Sequence, residues 1–62
     1  MRLHKRQNEI LAAVKTRGAC SIVELAEQLM VSDETIRRNI KPLVSQGLVE
    51  KVHGGIVLNA NL

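Results

Sequence analysis

A chain of 62 residues without Phe, Tyr or Trp holds one small domain with an aliphatic interior and excludes a second core or a deep catalytic cavity. Nine Lys plus Arg against six Asp plus Glu give a formal charge of +3, which suits an anionic partner without naming it. The lone Cys20 excludes an internal disulfide and a thiolate metal cage, and a reducing cytoplasm is expected.

Apolar runs of only a few residues give no expectation of a signal peptide or a membrane span. From Leu3 to Thr16, the residues Leu3, Ile10, Leu11 and Val14 share one stripe at about 100° per residue. That spacing predicts a first helix, closed by Gly18, which takes a left-handed cap conformation without strain. Ser21, followed three residues later by Glu24, forms a reciprocal N-terminal cap. It opens a second helix with the apolar face Ile22, Leu25, Ala26 and Leu29. Cys20, just before it, is expected to be a small buried residue.

Only Met30 and Val31 separate Leu29 from Ser32, another N-cap candidate, and the acids Asp33 and Glu34 after it suit the positive end of a helix dipole. A third helix is expected from Asp33 to Gln46. Its inward side is Ile36, Ile40, Leu43 and Val44, and Glu34, Arg37, Arg38 and Lys41 project outward. Pro42 falls toward the polar side, where a bend rather than a break is expected. After Gln46-Gly47, β-branched residues flank Gly54-Gly55 and predict a hairpin. Its strands are expected near Leu48 to His53 and Ile56 to Leu58, with both glycines in a primed two-residue turn. The domain is expected over residues 1–58, and residues 59–62 read as the start of a linker.

Three helices, a tight turn between the second and third, and a C-terminal hairpin describe a mainly α fold with a small β-hairpin, the winged helix-turn-helix. In helix-turn-helix proteins the second helix of the motif enters the major groove of DNA, here helix three. Arg38, one turn in, can bond two acceptors of guanine or clasp a phosphate, or simply pair with Glu34 at i, i+4. Arg37, rotated about 100° from it, is better suited to phosphate.

Asp33 and Glu34 can accept a bond from the cytosine amino group, although helix capping is their plainer role. Thr35 can offer its hydroxyl to phosphate or its methyl to thymine. Ser32 is chiefly a cap placed where a phosphate can also bind, and Ser21 has the same ambiguity. Lys41 and Lys51 suit phosphate or plain solvent. His53, Gly54 and Gly55 are expected at an exposed wing tip near the minor groove. Arg2, Lys5 and Arg6 form a basic cluster. No histidine has ligand spacing around it, and there is neither a glycine-rich phosphate loop nor an acid-base pair, so no cofactor, metal or enzymatic activity is expected. Structured RNA is one alternative partner, since absence of aromatic residues argues only against single-stranded targets, which are commonly gripped by stacking; a protein-interaction module is the other, and it would show an exposed apolar patch instead of arginines.

The pattern R-x-x-x-I-L from Arg6, S-I-V-E-L-A-x-x-L-x-V-S-x-x-T-I-R-R from Ser21, and G-L-V-x-K-x-H-G-G from Gly47 resembles the N-terminal domain of DeoR-family bacterial repressors. The resemblance implies a winged helix that binds double-stranded operator DNA upstream of sugar-catabolism genes, and it favours Arg6 among the N-terminal cations. It also implies a separate C-terminal domain that binds a sugar-phosphate effector and makes the intact regulator a homo-oligomer. Asn39, Pro42 and Met30 depart from the family's usual residues. In the left-handed conformation, Met30 would carry a strain of roughly 1 kcal/mol or more.

Overall fold

Seven side chains that water barely reaches, Ile10, Val14, Leu25, Ile36, Leu43, Val49 and Ile56, fix how the elements meet. In the computed structural model, which describes residues 3–59, they come from five elements of one core. These elements are α1 (Lys5–Arg17), α2 (Ile22–Leu29), α3 (Asp33–Ser45), β2 (Val49–Val52) and β3 (Gly55–Leu58). A further strand, β1 (Ala19–Ser21), lies between α1 and α2 and adds Cys20, buried as expected, to the same cluster. Apart from Cys20 the buried cluster is aliphatic, and Gln7 is the one polar residue buried among the described residues.

The helix starts follow from their caps. α1 begins at Lys5, two residues later than the apolar stripe suggests, because Gln7 Oε1 accepts the His4 amide at 3.0 Å. Leu3 packs on the core from outside the helix. Gly18 ends α1 with φ +82, donating its amide to the Val14 carbonyl at 2.6 Å and accepting the Leu58 amide at 3.0 Å. In α2, Ser21 Oγ accepts the Glu24 amide at 3.0 Å and Glu24 Oε1 accepts the Ser21 amide at 3.2 Å, the reciprocal cap expected from the sequence.

Two expectations are corrected by the sheet. The hairpin is part of a three-stranded antiparallel sheet in the order β1-β3-β2. β1 is only three residues long, too short for its ACS sequence to show alternation. Nor does the turn lie on Gly54-Gly55. Val52 pairs with Gly55, so the turn residues are His53 and Gly54, and of these only Gly54 has a positive φ, +77. That sign pattern belongs to a type II turn rather than a primed one. Gly55 is a buried strand residue, paired with Ser21 on its other side. A Cβ there would run into the Cys20 carbonyl oxygen and stand 3.0 Å from Ser21 Cα. Glycine is therefore needed at position 55 for close approach of β1 and not for exposure at a wing tip.

Val44 is also corrected, being 37% exposed instead of buried. Asn59, the last described residue, is held to the body by its amide on the Leu48 carbonyl at 3.2 Å and its Nδ2 on the Gly47 carbonyl. The rest of the expected linker, and Arg2, lie outside the described residues.

Gly55→Ala should cost at least about 2 kcal/mol, since the clash is with backbone that cannot swing aside. Gly54→Ala, where the added methyl meets open space, should cost only about 1 kcal/mol of left-handed strain. Thermal unfolding followed by circular dichroism checks the order, and equal melting points for Gly55→Ala and the parent would contradict it. Met30, observed left-handed at φ 60 and ψ 45, should gain up to about 1 kcal/mol on replacement by Gly. For a domain this small that is a rise of roughly 4 to 8 °C, and a lower melting point would count against the strain.

Candidate nucleic-acid interface

α3 is positioned from its first residue by a tight reversal. Met30 donates its amide to the Glu27 carbonyl at 3.3 Å and Val31 to the Ala26 carbonyl at 3.0 Å, so α2 gives way to α3 across three residues. Ser32 caps the new helix, its Oγ accepting the Thr35 amide at 3.2 Å. Ile36, Ile40 and Leu43 are then buried at 0%, 2% and 0% exposure. At about 100° per residue that inward stripe turns Glu34, Arg37, Arg38 and Lys41 outward, and all four are exposed. The helix runs unbroken through Pro42. Proline removes the amide that would bond the Arg38 carbonyl, yet the Gln46 amide still reaches the Pro42 carbonyl at 3.1 Å.

The candidate residues divide by what already holds them. Arg38 Nη2 lies 3.6 Å from Glu34 Oε1, with both side chains about three-quarters exposed (73% and 79%). A pair so open to water contributes at most about 1 kcal/mol and can be exchanged for another acceptor. Arg37 and Lys41 have no ion-pair partner among the described residues. Thr35 is half-buried, and its Oγ1 shares a hydrogen bond with Ser32 Oγ at 3.0 Å, so both hydroxyls are partly committed to the cap. Asp33, half-buried, and Glu34 occupy the first turn, where their charges complement the helix dipole. Asn39 turns its Nδ2 back to the Thr35 carbonyl at 2.8 Å. Arg6 stands on a different element, in the first turn of α1, 3.6 Å from Glu9.

At the wing, His53 and Gly54 are exposed and Gly55 is not. The Gly54 carbonyl accepts the Ile22 amide at 2.9 Å, fastening the wing turn to the start of α2. With the Ser21 and Glu24 amides also engaged, the α2 N-terminus is largely filled by the protein itself, which fits the structural one of the two readings of Ser21. Glu24 Oε2 accepts a 2.7 Å bond from Arg17 Nη2. That guanidinium bond, and then the Ser21 contacts, hold the Glu24 carboxyl below the usual carboxylate range. The pairing escaped sequence reading because the partners lie seven positions apart with a strand between them. Burial pushes the Cys20 thiol up, so it is protonated at neutral pH and a poor nucleophile.

A three-helix platform that turns the outer edge of its third helix to solvent beside a β-hairpin defines the winged helix-turn-helix class. The crystal structure of the reduced form of MarR from E. coli shares this fold, with a TM-score of 0.85 at 24% identity, covering 98% of this chain and 46% of that one.

Residues 6–61 match the DeoR-like helix-turn-helix domain, and the chain belongs to that family. It is 40% identical over 57 residues to an L-fucose operon activator of Haemophilus influenzae, spanning 92% of this chain and 23% of that protein. It is 41% identical over 58 residues to the glycerol-3-phosphate regulon repressor of Escherichia coli, spanning 94% and 23%. Against a lactose phosphotransferase system repressor of Streptococcus mutans it is 38% identical over 55 residues, spanning 89% and 22%. The chain thus spans about a quarter of the length of these regulators.

The Glu24 geometry has a pH signature. Because its folded pKa lies below the unfolded value near 4.3, the contribution is complete above that value and is lost as pH falls through the folded one. Arg17 stays charged throughout. Glu24→Gln should therefore flatten the acid limb of the stability curve between about pH 5 and 2, measured by urea unfolding at stepped pH. An acid limb unchanged by the substitution would contradict the pairing.

Proposed function

We propose that this chain is the operator-recognition domain of a bacterial transcriptional regulator of sugar or sugar-phosphate genes, acting as a repressor by occupying double-stranded DNA. The observation that carries this reading is the outer edge of α3, where Arg37, Arg38 and Lys41 stand exposed on one 13-residue helix. Such a helix is about 20 Å long and fits lengthwise in a major groove about 12 Å wide. Arg38 reads bases and Arg37 and Lys41 grip phosphates. Ser32 and Thr35 approach the backbone at the helix mouth, where Asp33 and Glu34 discourage the wrong register. His53 and Gly54 touch the adjoining backbone from the wing, and Arg6 adds a phosphate contact from α1.

The relatives named for fucose, lactose-transport and glycerol-3-phosphate control support the sugar-related target. A C-terminal effector domain that senses a phosphorylated sugar and joins copies into a homo-oligomer completes the proposed regulator. Pairing of two domains on two half-sites would supply affinity that one small module lacks.

Arg38→Ala should weaken binding to the preferred duplex by about 1 to 3 kcal/mol and relax base preference, while Lys41→Ala should weaken all duplexes alike and reduce the salt slope by about 1. Fluorescence anisotropy on preferred and scrambled duplexes across a salt series separates the two. Unchanged affinity and preference for Arg38→Ala would remove it from the reading set.

A further inference from the structure

Between the wing-facing side of α3 and strand β2 lies a groove of about 360 Å³, lined by Arg37, Ile40, Lys41, Val44, Ser45 and Lys51. Val44, 37% exposed, and the aliphatic stems of Arg37, Lys41 and Lys51 make its apolar floor, with Ile40 buried beneath. The reason it stays open is in the strand. Two residues beyond buried Val49, Lys51 faces the same side of the sheet. A lysine thus stands where an apolar side chain would have covered Val44.

The rim is cationic and unneutralised. Arg37, Lys41 and Lys51 line the groove, and no acid does. The ion pairs among the described residues engage Arg6, Arg17 and Arg38, none of them a groove residue. Lys51 Nζ has only a 3.5 Å contact with the Val52 carbonyl, at the outer limit of a hydrogen bond, and can swing. An apolar floor under uncompensated cations suits an anion that carries an apolar body, and the groove's volume falls in the roughly 300 to 1,000 Å³ range of small-molecule sites.

We propose that this groove binds a small organic anion with an apolar body, of the class of aromatic or medium-chain carboxylates. The body displaces water from Val44 and the lysine stems, and the carboxylate bridges the lysines or takes the Arg37 fork. Inorganic phosphate would leave the floor wet, and a neutral hydrocarbon would leave the cations unanswered. Because Arg37 and Lys41 also belong to the edge of α3 proposed to meet DNA, the ligand and a duplex compete; this clause alone rests on the operator-binding reading.

The test is a titration of the isotopically labelled chain with 2-naphthoate, octanoate and the neutral 2-naphthalenemethanol, followed by amide and methyl shifts. Saturable shifts are expected at Ile40, Val44 and Lys51 with both carboxylates. The alcohol should bind about tenfold more weakly, the usual worth of a charge-assisted bond. Lys41→Gln and Lys51→Gln should each weaken naphthoate several-fold while the remaining amide spectrum stays that of the folded parent. Absence of saturable shifts, equal binding of the alcohol, or indifference to both lysine substitutions would overturn the proposal. Groove shifts caused by duplex DNA but by neither carboxylate would also overturn it and assign the groove to the DNA backbone. Added to a preformed duplex complex, naphthoate should release DNA. Binding of naphthoate without release would leave the groove a ligand site and contradict the placement of DNA on α3.

Discussion

Burial of Ile36, Ile40 and Leu43 on α3 is the constraint from which the interface follows. These three residues lie within an arc of the helix that the apolar core must cover, so the helical repeat leaves Glu34, Arg37, Arg38 and Lys41 no inward position. No special contact has to hold the guanidinium groups outward; the core does so by occupying the other side. The short reversal at Met30 then fixes where the edge begins. A strained left-handed residue at that position is the cost of bringing two helices into a helix-turn-helix without a longer loop.

The wing is placed by a second, separate device. Gly55 lets β3 lie against β1 where a side chain would collide with backbone, and the Gly54 carbonyl closes on the first amide of α2. One glycine is thus required for its missing side chain and its neighbour for its positive φ. The hairpin is clipped to the helices at its tip and at its exit, where Asn59 bonds Gly47 and Leu48. In a domain with so little core, hydrogen bonds of this kind fix orientation that packing alone would leave loose.

The caps of α2 and α3, the helical faces apart from Val44, and the need for a tight turn at Met30 were legible in the sequence, because each rests on residues within one or two turns of one another. The winged fold and the exposed arginines followed from them. What was not legible depends on pairing across distance. β1 is three residues long, and the Gly-Gly pair suggests a turn until β1 is known to need position 55. Val44 fits an inward stripe within its own helix, and only the strand opposite, with Lys51 at the facing position, shows that nothing covers it. The Arg17 to Glu24 bond is hidden for the same reason.

The exposed cationic edge of α3 and the groove beside it share Arg37 and Lys41. The account depends on the outer edge being the surface that meets DNA. Amide chemical-shift mapping during titration with duplex DNA tests this most directly. The account predicts that shifts concentrate on residues 32–41 and on His53 and Gly54, with α1 beyond its first turn nearly silent. Shifts centred on the later turns of α1, with residues 32–41 unmoved, would contradict it.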